Sequence, residues 1–179
     1  MSRKNILNEQ SIAITIQRLC HQLIENHTTF ENSILIGLQP RGSYLANRIK
    51  DVLEELVGKE FPLGLLDTTF HRDDFRRREF PAEASSTHIP FTIEGKRVIL
   101  IDDVLFTGRS VRAAMDAMIT FGRPEKVELL TLIDRKYTRD LPIEANYVGK
   151  YIDSFLSQKV EVSWKEHKGK KDAVWLVTN

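Results

Sequence analysis

The sequence contains a single cysteine, Cys20, among its 179 residues. One thiol cannot form an intrachain disulfide or a cysteine-based zinc site, so disulfide-rich folds and Cys-rich metal folds are excluded. No apolar run approaches the roughly 20 residues that a transmembrane helix needs. The opening residues, numbers 1–4, lead into a mixed polar segment and not into the apolar stretch of a secretory signal. These absences predict a cytoplasmic protein with no membrane partner.

The chain also has little excess charge, because 26 basic residues face 25 acidic ones for a formal charge of +1. No bulk electrostatic field would draw it to nucleic acid, so any such binding requires a local patch. Hydrophobic residues make up 41% and charged residues 28%, as in soluble globular proteins. The length predicts one domain spanning residues 1–179.

Apolar spacing alternates between the strand and helix patterns along residues 33–133. This alternation predicts an α/β fold with a central, mainly parallel sheet flanked by helices. Asn8 is expected to cap the first helix and Gly58 to end the second. The predicted helices cover residues 9–26, 45–56 and 110–121, and the predicted strands cover 33–38, 61–67, 97–102, 126–133, 147–149, 159–164 and 173–177.

Polar residues follow three of the predicted strands, in segments 39–42, 102–110 and 134–136. The carboxyl ends of parallel strands meet at one edge of the sheet, and ligands of open α/β sheets bind there. In the second segment, Asp102 and Asp103 leave a buried strand, and residues 107–110 then open a helix. The loop and helix start form an anion site, whereas the carboxylates suit sugar hydroxyls or a magnesium ion. The segment therefore predicts a site for a phosphorylated ribose.

Residues 98–110 resemble the phosphoribosyl-pyrophosphate signature of the type I phosphoribosyltransferases: a hydrophobic quartet, two acids, an apolar spacer and a hydroxyl-rich end. Further motifs across nearly the whole chain resemble the bifunctional PyrR family, the pyrimidine-operon attenuators that also act as uracil phosphoribosyltransferases. These motifs lie at residues 6–10, 36–42, 72–74, 105–113, 122–124 and 134–150. The resemblance implies that the chain makes UMP from uracil and phosphoribosyl pyrophosphate, and that it binds UMP or UTP.

The resemblance also implies the roles of individual residues. Asp102 and Asp103 would hold the ribose hydroxyls, directly or through Mg²⁺, and residues 107–110 would hold the 5′-phosphate. Catalytic roles fall to Asp102, Asp103, Arg41 and Arg72. Substrate contacts fall to Pro40, Arg41, Gly42, Arg76, Asp102, Asp103, Val104, Leu105, Phe106, Thr107, Gly108, Arg109, Ser110, Asp134, Arg135, Lys159 and Val160.

Residues 68–96 form a long segment without clear periodicity, which is typical of a functional lid, although a hairpin or a solvated charged loop is also compatible with it. As a lid, its arginines, including Arg72 and Arg76, would bring positive charge to a pyrophosphate and exclude water. The Gln39–Pro40 bond reaches the cis form at low cost. The resemblance implies that this turn binds pyrophosphate, whereas the residues alone favour an ordinary Pro-Arg-Gly turn. Residues 141–179 would form the small hood of the resembled fold.

Two residues of the first helix, Arg18 and His21, match positions at which the attenuator family contacts RNA. Gln17 and Leu156 depart from that pattern, so we expect weaker binding to pyrimidine-operon leader mRNA. The resemblance implies a homodimer or a higher homo-oligomer. Two alternative functions stay open: an RNA-binding or nucleotide-sensing regulator with little catalysis, and a type I purine phosphoribosyltransferase.

Overall fold

The protein is described by a computed structural model that covers residues 2–71, 85–167 and 169–178. Its architecture is a five-stranded parallel sheet flanked by helices, with a separate three-stranded antiparallel sheet. The predicted α/β class is confirmed.

The described residues contain eight strands and three α-helices, which alternate from β1 to β3 and from β4 to β5, whereas β5 to β8 follow one another without an α-helix between them. The strands are β1 Ser2–Leu7, β2 Ser33–Leu38, β3 Leu63–Leu66, β4 Arg97–Leu105, β5 Lys126–Lys136, β6 Tyr147–Asp153, β7 Gln158–Ser163 and β8 Ala173–Thr178; the helices are α1 Glu9–His27, α2 Gly42–Val57 and α3 Arg109–Met118. Single 3-10 turns occupy Thr69–His71 and Ile119–Phe121.

Local sequence signals explain where the first two helices begin and end. The Asn8 side chain accepts a hydrogen bond from the Ser11 backbone N–H at 2.8 Å, which caps α1 as predicted. Gly58 ends α2 in the left-handed region, at φ 74°. The third helix is shorter than predicted, because α3 changes to a 3-10 turn after Met118.

The parallel sheet has the strand order β3-β2-β4-β5-β6 and is buried on both faces at its centre. On one face, Ile99 and Ile101 of β4 pack into the cluster that includes the apolar stripes of α1 and α2. On the other face, Val98 and Leu100 pack into the cluster that includes α3. Burial from both sides accounts for the uniformly apolar sequence of this strand.

The antiparallel sheet has the order β1-β8-β7, and we call these three strands the hood. Strand β1 was absent from the sequence prediction, yet it pairs with β8 from Ser2 opposite Thr178 onward. The strand predicted at residues 147–149 extends to Asp153 as β6 and belongs to the parallel sheet beside β5. In this definition the hood combines β7 and β8, which lie within residues 141–179, with the first strand of the chain.

The segment predicted as a lid is described only at its two ends. Residues 72–84, which carry Arg72 and Arg76, lie outside the described residues. After this gap the chain runs antiparallel to β3, where His88 and Leu65 exchange two backbone hydrogen bonds of 2.8 Å. Among the residues described, no helix is long and apolar enough to cross a bilayer.

Candidate active site

A cleft of about 430 Å³ lies at the carboxyl edge of the parallel sheet, and this size is typical of small-molecule sites. The start of β7, a strand of the hood, forms one side of the cleft. The cleft is lined by Leu38, Gln39, Pro40, Arg41, Thr68, Thr69, Asp102, Asp103, Val104, Leu105, Phe106, Thr107, Gly108, Ser110, Val111, Arg135, Lys159 and Val160. The fold thus brings together most of the residues that the sequence singled out.

The loop between β4 and α3 forms one wall of the cleft. Gly108, at φ 90°, turns the chain into α3, and a Cβ atom there would lie 3.3 Å from Ile143. The first-turn N–H groups of a helix lack helical partners and carry the positive end of its dipole. Thr107 and Ser110 add hydroxyl groups at the same place. This wall can therefore bind an anion such as a phosphate.

The two adjacent carboxylates differ in their surroundings. Asp102 is half-buried, and its Oδ1 accepts the Asp103 backbone N–H at 2.9 Å. Asp103 is only 3% exposed, and burial raises the pKa of its carboxyl despite the opposing charge of Arg41. Its Oδ2 lies 3.3 Å from the Arg41 Nε but has no hydrogen-bond partner within the described chain. A buried carboxylate oxygen without a donor is suited to a cation.

These carboxylates fit a magnesium ion that is shared with a substrate. No group of three or more His, Cys, Asp or Glu side chains that could hold a metal occurs in the described ranges. Mg²⁺ needs octahedral oxygen ligands, so Asp102 and Asp103 would supply protein oxygens and the substrate and water would supply the rest.

The start of α2 forms the second wall. The Gln39–Pro40 bond is cis, as the sequence allowed, and Arg41 precedes the helix. The Ser43 Oγ donates to the Pro40 carbonyl at 2.6 Å. Gly42 lies directly against the end of β4, because a Cβ atom on it would meet the Ile101 carbonyl at 2.7 Å. This close approach keeps Arg41 beside Asp103.

Arg135 connects the floor of the cleft to the hood. Its guanidinium lies 3.9 Å from the centre of the Phe106 ring. It donates to the Ser154 Oγ at 2.9 Å and to the carbonyls of Phe155 and Gln158 at 3.1 and 2.9 Å. Burial lowers the pKa of Arg135 below its usual range. The same residue thus contacts the loop between β4 and α3 and holds the turn before β7.

Some predicted site residues lie beside the cleft and do not line it. Asp134 is buried and pairs with Arg139 at 2.5 Å, and Arg139 also donates to the Phe106 carbonyl. The Arg109 side chain reaches Asp140 at 3.1 Å. Gly42 lies behind the wall, and Arg72 and Arg76 fall outside the described residues. The Asp134 carboxylate is therefore linked to the loop through Arg139.

Sequence reasoning missed several lining residues and one supporting residue. Thr68 and Thr69 follow the end of β3, so the rule that ligands bind at strand ends could have found them. Leu38 and Gln39 lie within the motif at residues 36–42 and Val111 lies within the motif at 105–113, but none of the three was assigned a substrate contact. Arg139 had no local signal, because its role depends on the fold of the loop after β5.

The two predicted RNA contacts lie on α1 and do not line the cleft. Arg18 donates to the carbonyls of Val148 and Gly149 on β6, the edge strand of the sheet. His21 is exposed. The exposed His21 ring is accessible to a polyanion. Arg18, in contrast, is already hydrogen-bonded to backbone carbonyls of β6.

Comparison with known proteins agrees with the family resemblance that the motifs of the sequence indicated. Residues 2–167 match the family described as the phosphoribosyl transferase domain. The "Bifunctional protein PyrR" of Desulfosudis oleivorans is 44% identical over 176 residues, which cover 98% of this chain and 97% of that protein. The "Pyrimidine operon regulatory protein" of Lactococcus lactis is 43% identical over 169 residues, which cover 94% of each.

Solved structures share the fold at much lower identity. The hypoxanthine phosphoribosyltransferase of Trypanosoma cruzi superposes with a TM-score of 0.72 at 15% identity, covering 98% of this chain and 97% of that one. A hypoxanthine-guanine phosphoribosyltransferase of Bacillus anthracis gives 0.69 at 16% identity, covering 99% and 100%. With the type I fold, the cleft and close relatives in agreement, the chain belongs to the phosphoribosyltransferases and, among them, to the bifunctional PyrR family.

Proposed function

We propose that the protein is a uracil phosphoribosyltransferase that converts uracil and phosphoribosyl pyrophosphate to UMP and pyrophosphate. The observation that carries this proposal is the cleft in which two adjacent carboxylates stand beside the amino end of α3. The relatives named bifunctional PyrR support the choice of a pyrimidine base.

The α3 wall is proposed to hold the 5′-phosphate of the substrate. Thr107, Gly108 and Ser110 supply N–H and hydroxyl donors there, and the helix dipole adds positive potential. Asp102 and Asp103 are proposed to accept the ribose hydroxyls, directly or through Mg²⁺. Because these carboxylates would repel the phosphate, the two groups fix the direction in which the ribose lies.

The α2 wall is proposed to hold the pyrophosphate. Arg41 lies beside Asp103, and its exposed guanidinium can stabilise the negative charge that develops on the leaving pyrophosphate. Bound Mg²⁺ supplies further positive charge at the same oxygens. The arginines of residues 72–84, including Arg72 and Arg76, are proposed to close over the pyrophosphate and exclude water, which would otherwise capture the ribose cation.

The base is proposed to lie between Arg135 and the hood residues Lys159 and Val160. Uracil passes its N1 proton to water, and N1 attacks C1 of the ribose with inversion while the C1–O bond breaks and pyrophosphate leaves with the bonding electron pair. The side chains of the cleft are proposed to act mainly by positioning the two substrates and by stabilising the charge on the leaving group.

The test is product formation from phosphoribosyl pyrophosphate, Mg²⁺ and each of uracil, cytosine, hypoxanthine, guanine and adenine. We expect UMP to be the main product. Turnover of hypoxanthine or guanine without uracil turnover would refute the proposal in favour of a purine enzyme. Removal of Mg²⁺ with a chelator should abolish turnover and leave the fold intact by circular dichroism.

We also propose that the protein regulates pyrimidine genes by binding leader mRNA when a uridine nucleotide is bound. The specific support is the name of the Lactococcus lactis relative, a pyrimidine operon regulatory protein, together with the exposed His21 on α1. UMP should increase the retardation of leader RNA in a gel shift, and Arg18→Ala or His21→Ala should reduce it without lowering UMP synthesis. Retardation that does not respond to UMP, or none at all, would refute this role.

The arrangement is proposed to be one domain over residues 1–179, with a lid within about 68–96, a hood, and self-association into a homodimer or larger homo-oligomer. Light scattering after size-exclusion chromatography tests the proposed self-association. A monomer at micromolar protein concentration would contradict it.

A further inference from the structure

A cluster of ionic contacts joins α2 to the loop between β7 and β8, away from the lining of the cleft. Arg48 of α2 binds two carboxylates of that loop in bidentate fashion. Its Nη1 and Nη2 lie 2.7 and 3.0 Å from the Asp172 oxygens, and its Nε and Nη2 contact Glu166 at 3.1 and 2.8 Å. Arginine holds two carboxylates in a fixed plane in this way, which lysine cannot reproduce.

The same guanidinium lies over the ring of Trp164, 4.7 Å from its centre. Trp164 is 1% exposed, and its Nε1 has no hydrogen-bond partner among the described residues. Packing and the overlying cation are therefore the interactions that hold this ring in position. Arg48 thus fixes the residue that directly follows β7.

The Asp172 carboxylate also joins the two ends of the loop between β7 and β8. Asp172 is 6% exposed, and its Oδ1 accepts the Lys165 backbone N–H at 2.9 Å. Hydrogen bonds from Arg48 keep the pKa values of Asp172 and Glu166 below their usual range, although burial alone would raise them. Without Arg48, two nearby carboxylates would face each other with no cation between them.

Arg48 is connected to two parts of the cleft, to one through α2 and to the other through β7. Helix α2 starts at Gly42, beside Arg41 of the pyrophosphate wall, and reaches Arg48 after six residues, or about 9 Å. Strand β7 runs from the cleft residues Lys159 and Val160 to Trp164. A strand transmits a displacement of one end to the other, so the position of Trp164 affects the base end of the cleft.

We infer that Arg48 is a positioning residue that sets the hood strand β7 against the base end of the cleft. This inference rests on the proposed function, because it takes the base to lie at Lys159 and Val160. The proposed sites of the two phosphate groups depend on β4, on the start of α3 and on the turn at Arg41, and Arg48 makes no described side-chain hydrogen bond or ion pair to any of them. Loss of Arg48 should therefore weaken the binding of the base and spare the binding of phosphoribosyl pyrophosphate.

The test compares Arg48→Met, Arg48→Lys and Asp172→Asn with the wild type and with Lys50→Ala. Lys50 lies on the same helix and pairs with Glu54 at 2.8 Å, without reaching the hood, so it is the matched control. The measurements are the KM for uracil, the KM for phosphoribosyl pyrophosphate, and the Kd values of UMP and phosphoribosyl pyrophosphate by calorimetry. The thermal midpoint reports folding of each variant.

We expect the KM for uracil and the Kd for UMP to rise about tenfold in Arg48→Met, while both values for phosphoribosyl pyrophosphate stay within about twofold. Arg48→Lys and Asp172→Asn should show the same selective loss, and they keep the test available if Arg48→Met does not fold. A lower thermal midpoint with unchanged constants, or an equal loss for both ligands, would overturn the inference. A wild type that makes no UMP would refute the proposed function, whereas the ratio of UMP to phosphoribosyl pyrophosphate affinity would still decide the role of Arg48.

Discussion

Replacing Gly108 with alanine tests whether the turn into α3 forms the phosphate site. Gly108 has a φ of 90°, where an L-residue is strained by about 1–2 kcal/mol. The added Cβ would also lie 3.3 Å from Ile143, so either the loop or Ile143 must shift. In a chain of this length each 1 kcal/mol lowers the thermal midpoint by roughly 2–4 °C, so we expect a decrease of about 2–8 °C.

The decrease in activity should be much larger than the decrease in stability. A shift of the loop by a few tenths of an ångström moves the N–H donors away from the phosphate, and we expect kcat/KM for phosphoribosyl pyrophosphate to fall by about 100-fold. Calorimetric titration of phosphoribosyl pyrophosphate should show the same loss in Kd.

Gly58→Ala is the matched control for this experiment. Gly58 has a φ of 74°, no heavy atom lies within 4 Å of its added Cβ, and it lies at the far end of α2 from the cleft. The backbone strain of about 1 kcal/mol should therefore appear in the thermal midpoint without any change in kcat/KM. Wild-type affinity for phosphoribosyl pyrophosphate in Gly108→Ala, or an equal loss in both variants, would refute the phosphate assignment.

Three further predictions follow from other residues. Asp102→Ala combined with Asp103→Ala should abolish UMP synthesis while circular dichroism stays unchanged, and wild-type turnover would contradict the role of the carboxylates. Burial lowers the pKa of His27 below its usual 6.5, so at a pH between this lowered pKa and 6.5 the ring is neutral in the fold but protonated in the unfolded chain. The free energy of unfolding in urea should therefore fall as the pH drops below 6.5, and His27→Gln should flatten this slope. Glu128→Ala removes the carboxylate 2.6 Å from the His27 Nε2 and should cost about 1–3 kcal/mol in urea unfolding, with no change in activity.

Sequence reasoning succeeded where a local pattern determines the local structure. The apolar run of β4 ends at Asp102, and burial on both faces of the sheet accounts for it. Asn8 and Gly58 act within one turn of the chain, so their spacing alone predicted the ends of two helices. The turn from β4 to α3 is likewise specified by consecutive residues.

The hood was predicted less well because its contacts are distant in sequence. Strand β1 carries Arg3, Lys4 and Asn5, which are exposed, and it lacks the alternation of a half-buried strand. It becomes a strand because β8 is available to pair with it, and β8 lies about 170 residues away. No window of the sequence contains that information.

Supporting residues of the cleft escaped prediction for a similar reason. Arg139 binds the Phe106 carbonyl across 33 residues, and Arg48 reaches Asp172 across 124. Charged residues on a helix or loop are usually solvated, so their spacing carries no sign of a specific partner. The ends of parallel strands were informative because the topology itself brings them together.

The pairing of β1 with β8 determines the order in which the two halves of the cleft can be built. During synthesis, the carboxylates, the α3 turn and the start of α2 are all present once β6 has emerged. The hood sheet must wait for β8, so β1 has no strand beside it for most of translation. A nascent chain at that stage already contains the residues of the proposed phosphate half of the cleft, and the wall proposed to select the base is the last part to be completed.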